Sequence, residues 1–268
     1  MKEYLPQQWQ IILDHNGLGS FDELWALDAG WFEQPNQRRG GWSGVSRFEA
    51  SLPEGGKTGL FIKRQQNHKT RTLSHPFGMP TFAREMANIL RFRKHDIPTL
   101  TPVYYACRIQ DNNCQAILIT EELTGYISLE DLVQGWEGQV SPNRQEQLQV
   151  IYTIADTVRR MHEQHFQHNC FYPKHIFLEF DDESVIDIRI IDLEKLKWRP
   201  FVKACALRDL YTLNCHSQVW SRTDRLRFLL AYLQSDRLTP YAKTLWKKIV
   251  EHAIEKGRVT IQSTKAVL

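Results

Sequence analysis

The predicted secondary structure changes at Leu123-Thr124-Gly125. Before this point the hydrophobic pattern predicts mainly β-strands, and after it mainly α-helices. The earlier strands form two pairs on either side of one helix, and they cover Val45–Ala50, Leu60–Lys63, Val103–Ala106 and Ala116–Thr120. Sheets and helices each bury an apolar face, so strands followed by a largely helical body are expected to form separate lobes. This order of elements predicts an α+β chain with two lobes.

The helices are predicted from apolar residues at helical spacing. Between the strand pairs, such a stripe consists of Phe82, Met86, Ile89 and Leu90. In the second part, Gln145–His165 carries the stripe of a long helix with one buried face, formed by Leu148, Ile151, Tyr152, Ala155, Val158 and Met161. Another strand pair, Ile176–Phe180 and Val185–Ile191, precedes further helices from Leu207 onward. No element is predicted in the polar, turn-rich residues 66–80.

We divide the chain into three segments. Residues 1–30 are predicted to be an N-terminal helical extension, interrupted at Asn16-Gly17-Leu18-Gly19-Ser20. Residues 31–121 are predicted to be a β-rich N-lobe with one helix, and residues 122–268 a mainly helical C-lobe.

Composition excludes several classes of protein. The 268 residues carry a net charge of +3, which is too small to indicate nucleic acid as a partner. The five cysteines show no Cys-x-x-Cys spacing, so neither a disulfide framework nor a zinc ribbon is expected. The first residues lack an apolar stretch, and no apolar run has the length of a membrane-spanning helix. We therefore expect a protein of the reducing cytoplasm.

Three charged residues fall where strands and helices place functional groups. Lys63 ends a predicted strand and can act as a point charge for phosphate oxygens, while Glu85 on the next helix can hold it in an ion pair. Asp192 follows a buried strand and is a natural ligand for Mg²⁺. Each signal is weak alone, because charged residues at strand ends are usually solvated.

The segment after Met161 is more specific. Its motifs resemble the protein-kinase catalytic loop, and they are Met161-His162, His168-Asn169-Cys170 and Lys174-His175-Ile176-Phe177-Leu178. Ile190-Ile191-Asp192-Leu193-Glu194 then takes the place of the metal-binding Asp-Phe-Gly motif. The order of all these residues along one chain strengthens the prediction.

Longer motifs resemble one family more closely. From Trp31 to about Asp209 the chain is similar to the lipopolysaccharide kinase (Kdo/WaaP) family, in particular its InaA-like branch. The motifs are Trp31-Phe32-Glu33-Gln34-Pro35-Asn36, Arg38-Arg39-Gly40-Gly41-Trp42-Ser43-Gly44-Val45, Pro76-Phe77-Gly78-Met79-Pro80-Thr81, Thr120-Glu121-Glu122-Leu123, His168-Asn169-Cys170-Phe171-Tyr172 and Ile191-Asp192-Leu193-Glu194-Lys195. The resemblance implies a protein-kinase-like bilobal fold. It also implies ATP-dependent phosphorylation of an inner-core lipopolysaccharide sugar at the cytoplasmic face of a Gram-negative membrane.

The resemblance also implies roles for particular residues. For ATP, Lys63 would contact the α- and β-phosphates and Glu85 would orient it. The backbone amides of Gly40, Gly41 and Gly44 would approach phosphate, and the backbone of Glu122 and Leu123 would bind adenine. For Mg²⁺, the ligands would be His175, in place of the usual Asn, and Asp192. Asp209 would anchor the catalytic loop.

One position departs from the kinase pattern. Cys170 stands where the catalytic Asp belongs, and a neutral thiol is a poor hydrogen-bond acceptor for the attacking hydroxyl. A general base contributes about 10²–10⁴ in rate, so this difference predicts either a slow enzyme or none. Glu194 is a candidate substitute carboxylate.

Three function classes follow from these observations. The first is an active lipopolysaccharide sugar kinase, and the second is a pseudokinase that binds nucleotide as an interaction module, which Cys170 favours. The third is a kinase of another small hydroxyl compound. A zinc site at His162, His165 and His168, or a Cys170–His168 nucleophile, is disfavoured because further ligands or an orienting residue are not identifiable.

Basic residues suggest a further partner. Peripheral contact with the anionic inner membrane is one interpretation of Arg38, Arg39, Lys197, Arg199, Lys203, Arg222, Arg225 and Arg227, and a solvated charged face is the other. The sequence contains no groove-reading motif, so nucleic acid is not expected.

Overall fold

A computed structural model describes residues 3–38, 40–72, 75–138, 143–181, 184–217 and 219–255. Internal contacts divide the chain into two compact units. Unit 1 comprises Met1–Phe92 and Leu100–Thr124, and unit 2 comprises Arg93–Thr99 and Gly125–Leu268. The residues predicted as an N-terminal extension fall within unit 1. Our three-segment division of the chain stays a prediction.

Unit 1 contains antiparallel sheets and three helices among its described residues. Its elements are α1 (Gln7–His15), α2 (Phe21–Ala26), β1 (Glu33–Arg38), β2 (Gly41–Ser51), β3 (Lys57–Gln66), β4 (Lys69–Thr72), β5 (His75–Pro80), α3 (Thr81–Lys94), β6 (Pro102–Gln110) and β7 (Asn113–Glu121). Five strands form one sheet in the order β1-β2-β3-β7-β6, so β3 is central. The four predicted strands of this part are confirmed, because they lie within β2, β3, β6 and β7.

The central sheet has helices on both faces. Residues from α1 and α2, such as Leu13 and Leu24, pack in one core cluster with Leu60 and Ile62 of β3. Because side chains alternate along a strand, Lys63 points to the face opposite Ile62. There it meets Glu85, which α3 carries among buried neighbours such as Met86 and Ile89.

A short hairpin lies where no element was predicted. Strands β4 and β5 pair antiparallel, with Lys69 opposite Pro80 and Thr70 opposite Met79. Proline and glycine punctuate this segment, and both are unfavourable inside strands, so the sequence pattern indicated only turns. In this two-stranded sheet, pairing between the two backbones outweighs the low strand preference of proline and glycine.

Unit 2 contains short strands and long helices. Its elements are β8 (Tyr126–Ser128), α4 (Leu129–Gly138), α5 (Arg144–Glu163), β9 (Phe166–Gln167), β10 (Ile176–Asp181), β11 (Ser184–Ile190), β12 (Lys197–Trp198), α6 (Val202–Cys215), α7 (Arg222–Tyr232) and α8 (Pro240–Glu255), with 3₁₀ turns at Pro173–His175 and Leu193–Lys195. The predicted pair is confirmed as β10 and β11, with β8 on the other side of β10. Together the two units establish the α+β class.

The long helix α5 follows its predicted apolar stripe with two departures. Ile151, Ala155, Val158 and Met161 are buried as expected, whereas Leu148 is only partly buried and Tyr152 is 49% exposed. The prediction for Tyr152 was wrong because its ring lies beside, rather than on, the buried face. Among the residues that the structure describes, no helix combines the length and apolar character needed to cross a bilayer.

Candidate active site

In unit 1, Lys63 and Glu85 form a close ion pair. The Lys63 Nζ atom lies 2.6 Å from Glu85 Oε1, and the Glu85 side chain is only 4% exposed. Lys63 is fixed by its place in β3, where it is paired with Val45 of β2 and Leu118 of β7. Removing two charges from water costs free energy that their mutual attraction only partly repays. Apolar residues of similar volume at these two positions would therefore give the fold equal or greater stability.

The three glycines of the predicted phosphate loop each have a structural explanation. Gly40 lies between β1 and β2 with a φ of +77°, a conformation that favours glycine. A Cβ at Gly41 would overlap the carbonyl oxygen of Gln66, and one at Gly44 would overlap the Trp31 ring. Close packing thus accounts for Gly41 and Gly44 without a ligand, and phosphate contact at the three glycines stays a prediction. Arg39, in the same motif, lies outside the described residues.

The backbone of Glu122 is engaged within unit 1. Its N–H donates to the Gly59 carbonyl at 2.9 Å, and its carbonyl accepts from the Thr124 N–H at 3.0 Å. Its carboxylate accepts two hydrogen bonds from Arg47, at 2.8 and 2.7 Å. The Leu123 backbone, by contrast, makes no hydrogen bond within the described part of the chain. Of the two residues predicted to bind adenine, Leu123 is the one with backbone groups left for a ligand.

In unit 2, a buried carboxylate holds the loop that follows α5. Asp209 of α6 accepts the backbone N–H of His168 at 2.6 Å and that of Asn169 at 2.9 Å. The ring of His162 lies 3.2 Å from the same carboxylate. Asp209 is fully buried, so these donors replace the water it would otherwise bind. The predicted anchoring role of Asp209 is confirmed.

His168 is a structural member of this loop. Burial lowers its pKa, although the Asp209 charge acts in the opposite direction. Its neutral ring accepts from the Cys170 N–H through Nδ1 at 3.2 Å, and it donates from Nε2 to the Ile191 carbonyl at 2.9 Å. His168 thereby connects the loop to the residue that precedes Asp192.

His175 and Asp192 lie close together, because His175 precedes β10 and Asp192 follows its partner strand β11. The His175 carbonyl accepts the Ile191 N–H at 3.0 Å, and His175 Nδ1 lies 3.6 Å from Asp192 Oδ2. Asp192 has a left-handed backbone (φ 60°, ψ 56°), which is uncommon outside glycine but tolerated by Asp. That turn begins the 3₁₀ segment Leu193–Lys195.

The protonation state of His175 suits a ligand role. Burial lowers the pKa of His175 to about 4, so the ring is neutral at neutral pH. Its Nδ1 lies 2.8 Å from the Cys170 carbonyl, which can only accept, so the ring proton sits on Nδ1. A neutral imidazole with Nδ1 protonated has its lone pair on Nε2, the form in which histidine binds metal ions.

The predicted metal ligands number two, and the described residues contain no group of three His, Cys, Asp or Glu side chains suited to a metal. This small donor set fits Mg²⁺, which usually takes one or two carboxylates and completes its shell with water and substrate phosphates. Asp192 would supply an oxygen ligand of the kind that Mg²⁺ prefers. The imidazole nitrogen of His175 is more typical of transition metals, so the pair also fits Mn²⁺.

Cys170 and Lys195 interact directly, a contact that sequence reasoning missed. Cys170 is buried, and the Lys195 ammonium interacts electrostatically with its thiol, which contributes to a raised pKa of Lys195. Burial raises the pKa of the Cys170 thiol, and Lys195 offsets only part of that rise. The residue in place of the catalytic Asp is therefore a neutral thiol with a cation beside it. No local pattern predicts this contact, because it joins two residues that are distant in the sequence and meet only through the fold.

Comparison with known proteins agrees with this geometry. The model of the lipopolysaccharide kinase (Kdo/WaaP) family matches residues 22–232. Protein InaA of Escherichia coli is 32% identical over 182 residues, which are 67% of this chain and 79% of that protein. The lipopolysaccharide core heptose(I) kinase WaaP of Pseudomonas aeruginosa is 29% identical over 157 residues, covering 56% of this chain and 58% of that kinase.

A solved structure shows the same fold. WaaP in complex with acyl carrier protein superimposes with a TM-score of 0.68 and 22% identity, covering 95% of this chain and 99% of that chain. This likeness supports the predicted protein-kinase-like fold, and the match of the family model supports the predicted kinship. The chain belongs to the lipopolysaccharide kinase (Kdo/WaaP) family.

Proposed function

We propose that this chain transfers the γ-phosphoryl group of ATP to a sugar hydroxyl of the lipopolysaccharide inner core, on the cytoplasmic face of the membrane. The observation that carries the proposal is the Lys63–Glu85 ion pair, with its atoms 2.6 Å apart and Glu85 buried. A buried ion pair adds little to stability compared with apolar residues, so its presence needs another reason. Orienting a lysine toward phosphate oxygens is such a reason.

For ATP, we assign the phosphate contact to Lys63 and the adenine contact to the Leu123 backbone. Lys63 is 20% exposed, so its ammonium has room for a ligand while it remains paired with Glu85. Leu123 offers a backbone N–H and carbonyl, whereas the groups of Glu122 are used by Gly59 and Thr124. This assignment narrows the two predicted adenine contacts to one residue.

For the metal, we assign Asp192 as the carboxylate ligand and His175 Nε2 as a second donor. When bound, Mg²⁺ would offset the negative charge of the phosphate oxygens. Asp192 is 38% exposed and His175 is 14% exposed, so both are accessible. The hydrogen bond to the Cys170 carbonyl orients the His175 ring and fixes its tautomer, as outer partners of metal ligands commonly do.

For the acceptor, we propose a transfer that does not use a protein carboxylate as base. The attacking hydroxyl oxygen forms a bond to the γ-phosphorus, the bond to the β–γ bridging oxygen breaks, and the hydroxyl proton passes to a phosphate oxygen. Because the transition state is loose, positioning and charge stabilisation matter more than early proton removal. Lys195, held beside Cys170, supplies positive charge for the transferring oxygens.

The transfer is tested with Mg²⁺, ATP and purified lipopolysaccharide core lacking phosphate, with the product detected by mass spectrometry. The variants are Lys63→Ala and Asp192→Ala, and the matched control is Lys57→Ala, an exposed lysine on the same strand. We expect transfer by the wild-type chain and Lys57→Ala, and none by the other two. Equal product from wild type and Lys63→Ala would contradict the proposal.

The second candidate function is a pseudokinase, which the neutral thiol of Cys170 favours. Such a protein would bind ATP through the same residues and transfer phosphate to no acceptor. The two functions are separated by measuring binding and transfer on the same preparation. Nucleotide binding without any transfer, across core sugars and soluble hydroxyl acceptors, would support the pseudokinase.

We also propose an acyl carrier protein as a partner. The support is the related WaaP structure, which contains that protein, together with an apolar cavity in unit 2. The cavity measures about 60 Å³ and is lined by residues that include Leu129, Ile154, Leu213, Leu229, Trp246 and Ile249. Apolar walls match an acyl chain in chemistry, and a space of this size would hold only the tip of the chain. Titration calorimetry with acylated and unacylated carrier protein tests it, and equal affinity for both would contradict a role for the cavity.

A further inference from the structure

Residues 195–208 form a strongly basic stretch of unit 2. They include five lysines and arginines and contain no aspartate or glutamate, in a chain whose net charge is only +3. Lys197 and Lys203 are exposed, and Arg199 is partly exposed. None of these three forms an ion pair with the described residues. The Arg199 side chain donates a hydrogen bond to the amide oxygen of Gln167 at 2.7 Å. The positive charge in this stretch is thus available to an external anion.

Two large aromatic side chains project from the same stretch. Trp198 is 60% exposed and Phe201 is 72% exposed, although each is normally among the more buried residue types. Single exposed apolar residues are common, but here two lie within four positions of each other and alternate with basic residues. Exposed Trp and Phe beside Lys are typical of surfaces that enter the headgroup region of a bilayer.

The surrounding backbone holds these side chains outward. Trp198 lies in β12, which pairs with β9, and its ring stacks on His165 with centroids 5.5 Å apart. The Arg199 N–H donates to the His165 carbonyl at 2.8 Å, and the Arg199 carbonyl accepts from the His165 ring at 2.9 Å. Phe201 is the residue before α6 begins. The aromatic rings are therefore displayed by ordered structure.

We propose that Lys197, Trp198, Phe201 and Lys203, here called the 197–203 surface, bind the interface of an anionic lipid bilayer. The lysines attract anionic headgroups, and the two rings insert among them. Lys203 also lies over the ring of Tyr241, 5.2 Å from its centroid, which adds a third partly exposed aromatic ring at the edge. Arg208 lines one pocket with Phe201 and a second with Glu251, and it is left out of the surface because of that neighbouring carboxylate.

This inference goes beyond the proposed phosphotransfer, because it concerns where the chain binds and needs no nucleotide. A pseudokinase would bind the bilayer equally well. A bilayer is favoured over an acidic protein because Trp198 and Phe201 are both more than half exposed and lie beside exposed lysines, the combination that enters the headgroup region.

The experiment is cosedimentation of the full chain with vesicles made of equal parts phosphatidylglycerol and phosphatidylcholine, and with vesicles of phosphatidylcholine alone. The charge variant is Lys197→Glu with Lys203→Glu, and the aromatic variant is Trp198→Ser with Phe201→Ser. The matched controls are Lys57→Glu with Lys94→Glu, which are exposed lysines elsewhere, and Phe77→Ser, an aromatic residue that is 94% exposed. Circular dichroism verifies that every variant is folded.

We expect wild type and controls to bind only the anionic vesicles, and each double variant to lose about tenfold or more in partitioning. No binding to anionic vesicles by wild type would overturn the proposal. Full binding by the aromatic variant would also overturn it, because the lysines alone would then account for the contact. Equal wild-type affinity for single-stranded DNA, with the same losses in both variants, would assign a general polyanion surface in place of a bilayer site.

Discussion

The Lys63–Glu85 pair of unit 1 and the Cys170 loop of unit 2 both match kinase motifs, but they retain different amounts of the kinase chemistry. In unit 1 the charge pair is complete, at 2.6 Å and largely buried. In unit 2 the backbone scaffold is complete, since Asp209 and His168 hold the loop, while Cys170, predicted to stand at the base position, is a neutral thiol. The two regions therefore differ in that the residues predicted to bind phosphate are charged, whereas the residue predicted to activate an acceptor is neutral.

That difference bears on the choice between a kinase and a pseudokinase. Replacing Asp by Cys removes an acceptor that is needed only during transfer. Burial of Lys63 and Glu85 carries a desolvation penalty during folding, and the proposed role in binding nucleotide gives a reason for their presence. From this difference we propose that the chain binds nucleotide and that it activates its acceptor without a carboxylate at position 170.

Cys170→Asp restores the carboxylate and has the largest expected effect. The Lys195 ammonium, now beside Cys170, would keep the new carboxylate ionised and positioned. If the base is all that is missing, transfer to the core acceptor rises by about 10²–10⁴. Initial rates at saturating ATP measure this effect. Cys170→Ser is the matched control, because a hydroxyl of similar size adds no base, and an aspartate variant as slow as the serine variant would refute the explanation.

Asp209→Ala tests the scaffold of unit 2. It leaves the N–H groups of His168 and Asn169 buried without their acceptor, which is expected to lower the free energy of unfolding by about 3–5 kcal/mol. Urea denaturation measures the change. Asp156→Ala is the control, because this exposed residue pairs with Arg159 at the surface and should cost at most about 1 kcal/mol. Equal losses for the two variants would argue against the anchoring role.

The charge pair of unit 1 is tested by a double-mutant cycle. Lys63→Met and Glu85→Leu each remove one member of this ion pair, with an expected cost of about 3 kcal/mol in unfolding free energy. The double variant should regain most of that stability while still failing to bind nucleotide. Costs that simply add in the double variant would mean that the two residues do not act as a pair.

His175 makes the stability of the fold depend on pH. Its pKa is lowered to about 4 in the folded chain, below the ordinary value near 6.5, so the unfolded chain binds the proton more readily between these values. The stability is therefore complete above pH 6.5 and falls as the pH drops toward 4. Between pH 7.5 and pH 5 the loss from this residue is about 2 kcal/mol.

The buried His168 adds a loss in the same direction, because its pKa is also lowered. Urea denaturation of the wild type and of His175→Asn at both pH values isolates the share of His175. We expect a shallower pH dependence in that variant and no change in His15→Asn, an exposed control. An unchanged pH dependence in His175→Asn would show that the histidine titrates normally.

Much of unit 1 could be predicted from local patterns. The strands around Lys63 alternate apolar and polar residues, and the stripe of α3 places Glu85 on the helix that covers them. Strand pairing and helix spacing are local properties, so the sequence contains them directly. The hairpin β4–β5 was missed because its prolines and glycine indicate turns, and only pairing with a partner strand reveals the strands.

In unit 2, local patterns located the loop but not its contacts. The order of His168, His175 and Asp192 indicated a kinase-like loop, yet the contact between Cys170 and Lys195 depends on the path of the chain between them. Tyr152 shows a related limit, because an aromatic residue at the edge of a helical stripe can lie inside or outside the core. Such contacts depend on tertiary packing, which sequence periodicity does not encode.

We have proposed that Lys63 contributes to the binding of ATP and that Asp192 contributes to the binding of a divalent metal. Both contributions are measured by thermal unfolding of wild type, Lys63→Ala, Asp192→Ala and the control Lys57→Ala, each with ATP in the presence and absence of Mg²⁺. At ATP ten times above Kd, a shift of about 3–6 °C is expected. We expect a Mg²⁺-dependent shift in wild type and Lys57→Ala and the loss of that shift in the other two variants. No shift in wild type at millimolar ATP would contradict both the kinase and the nucleotide-binding pseudokinase.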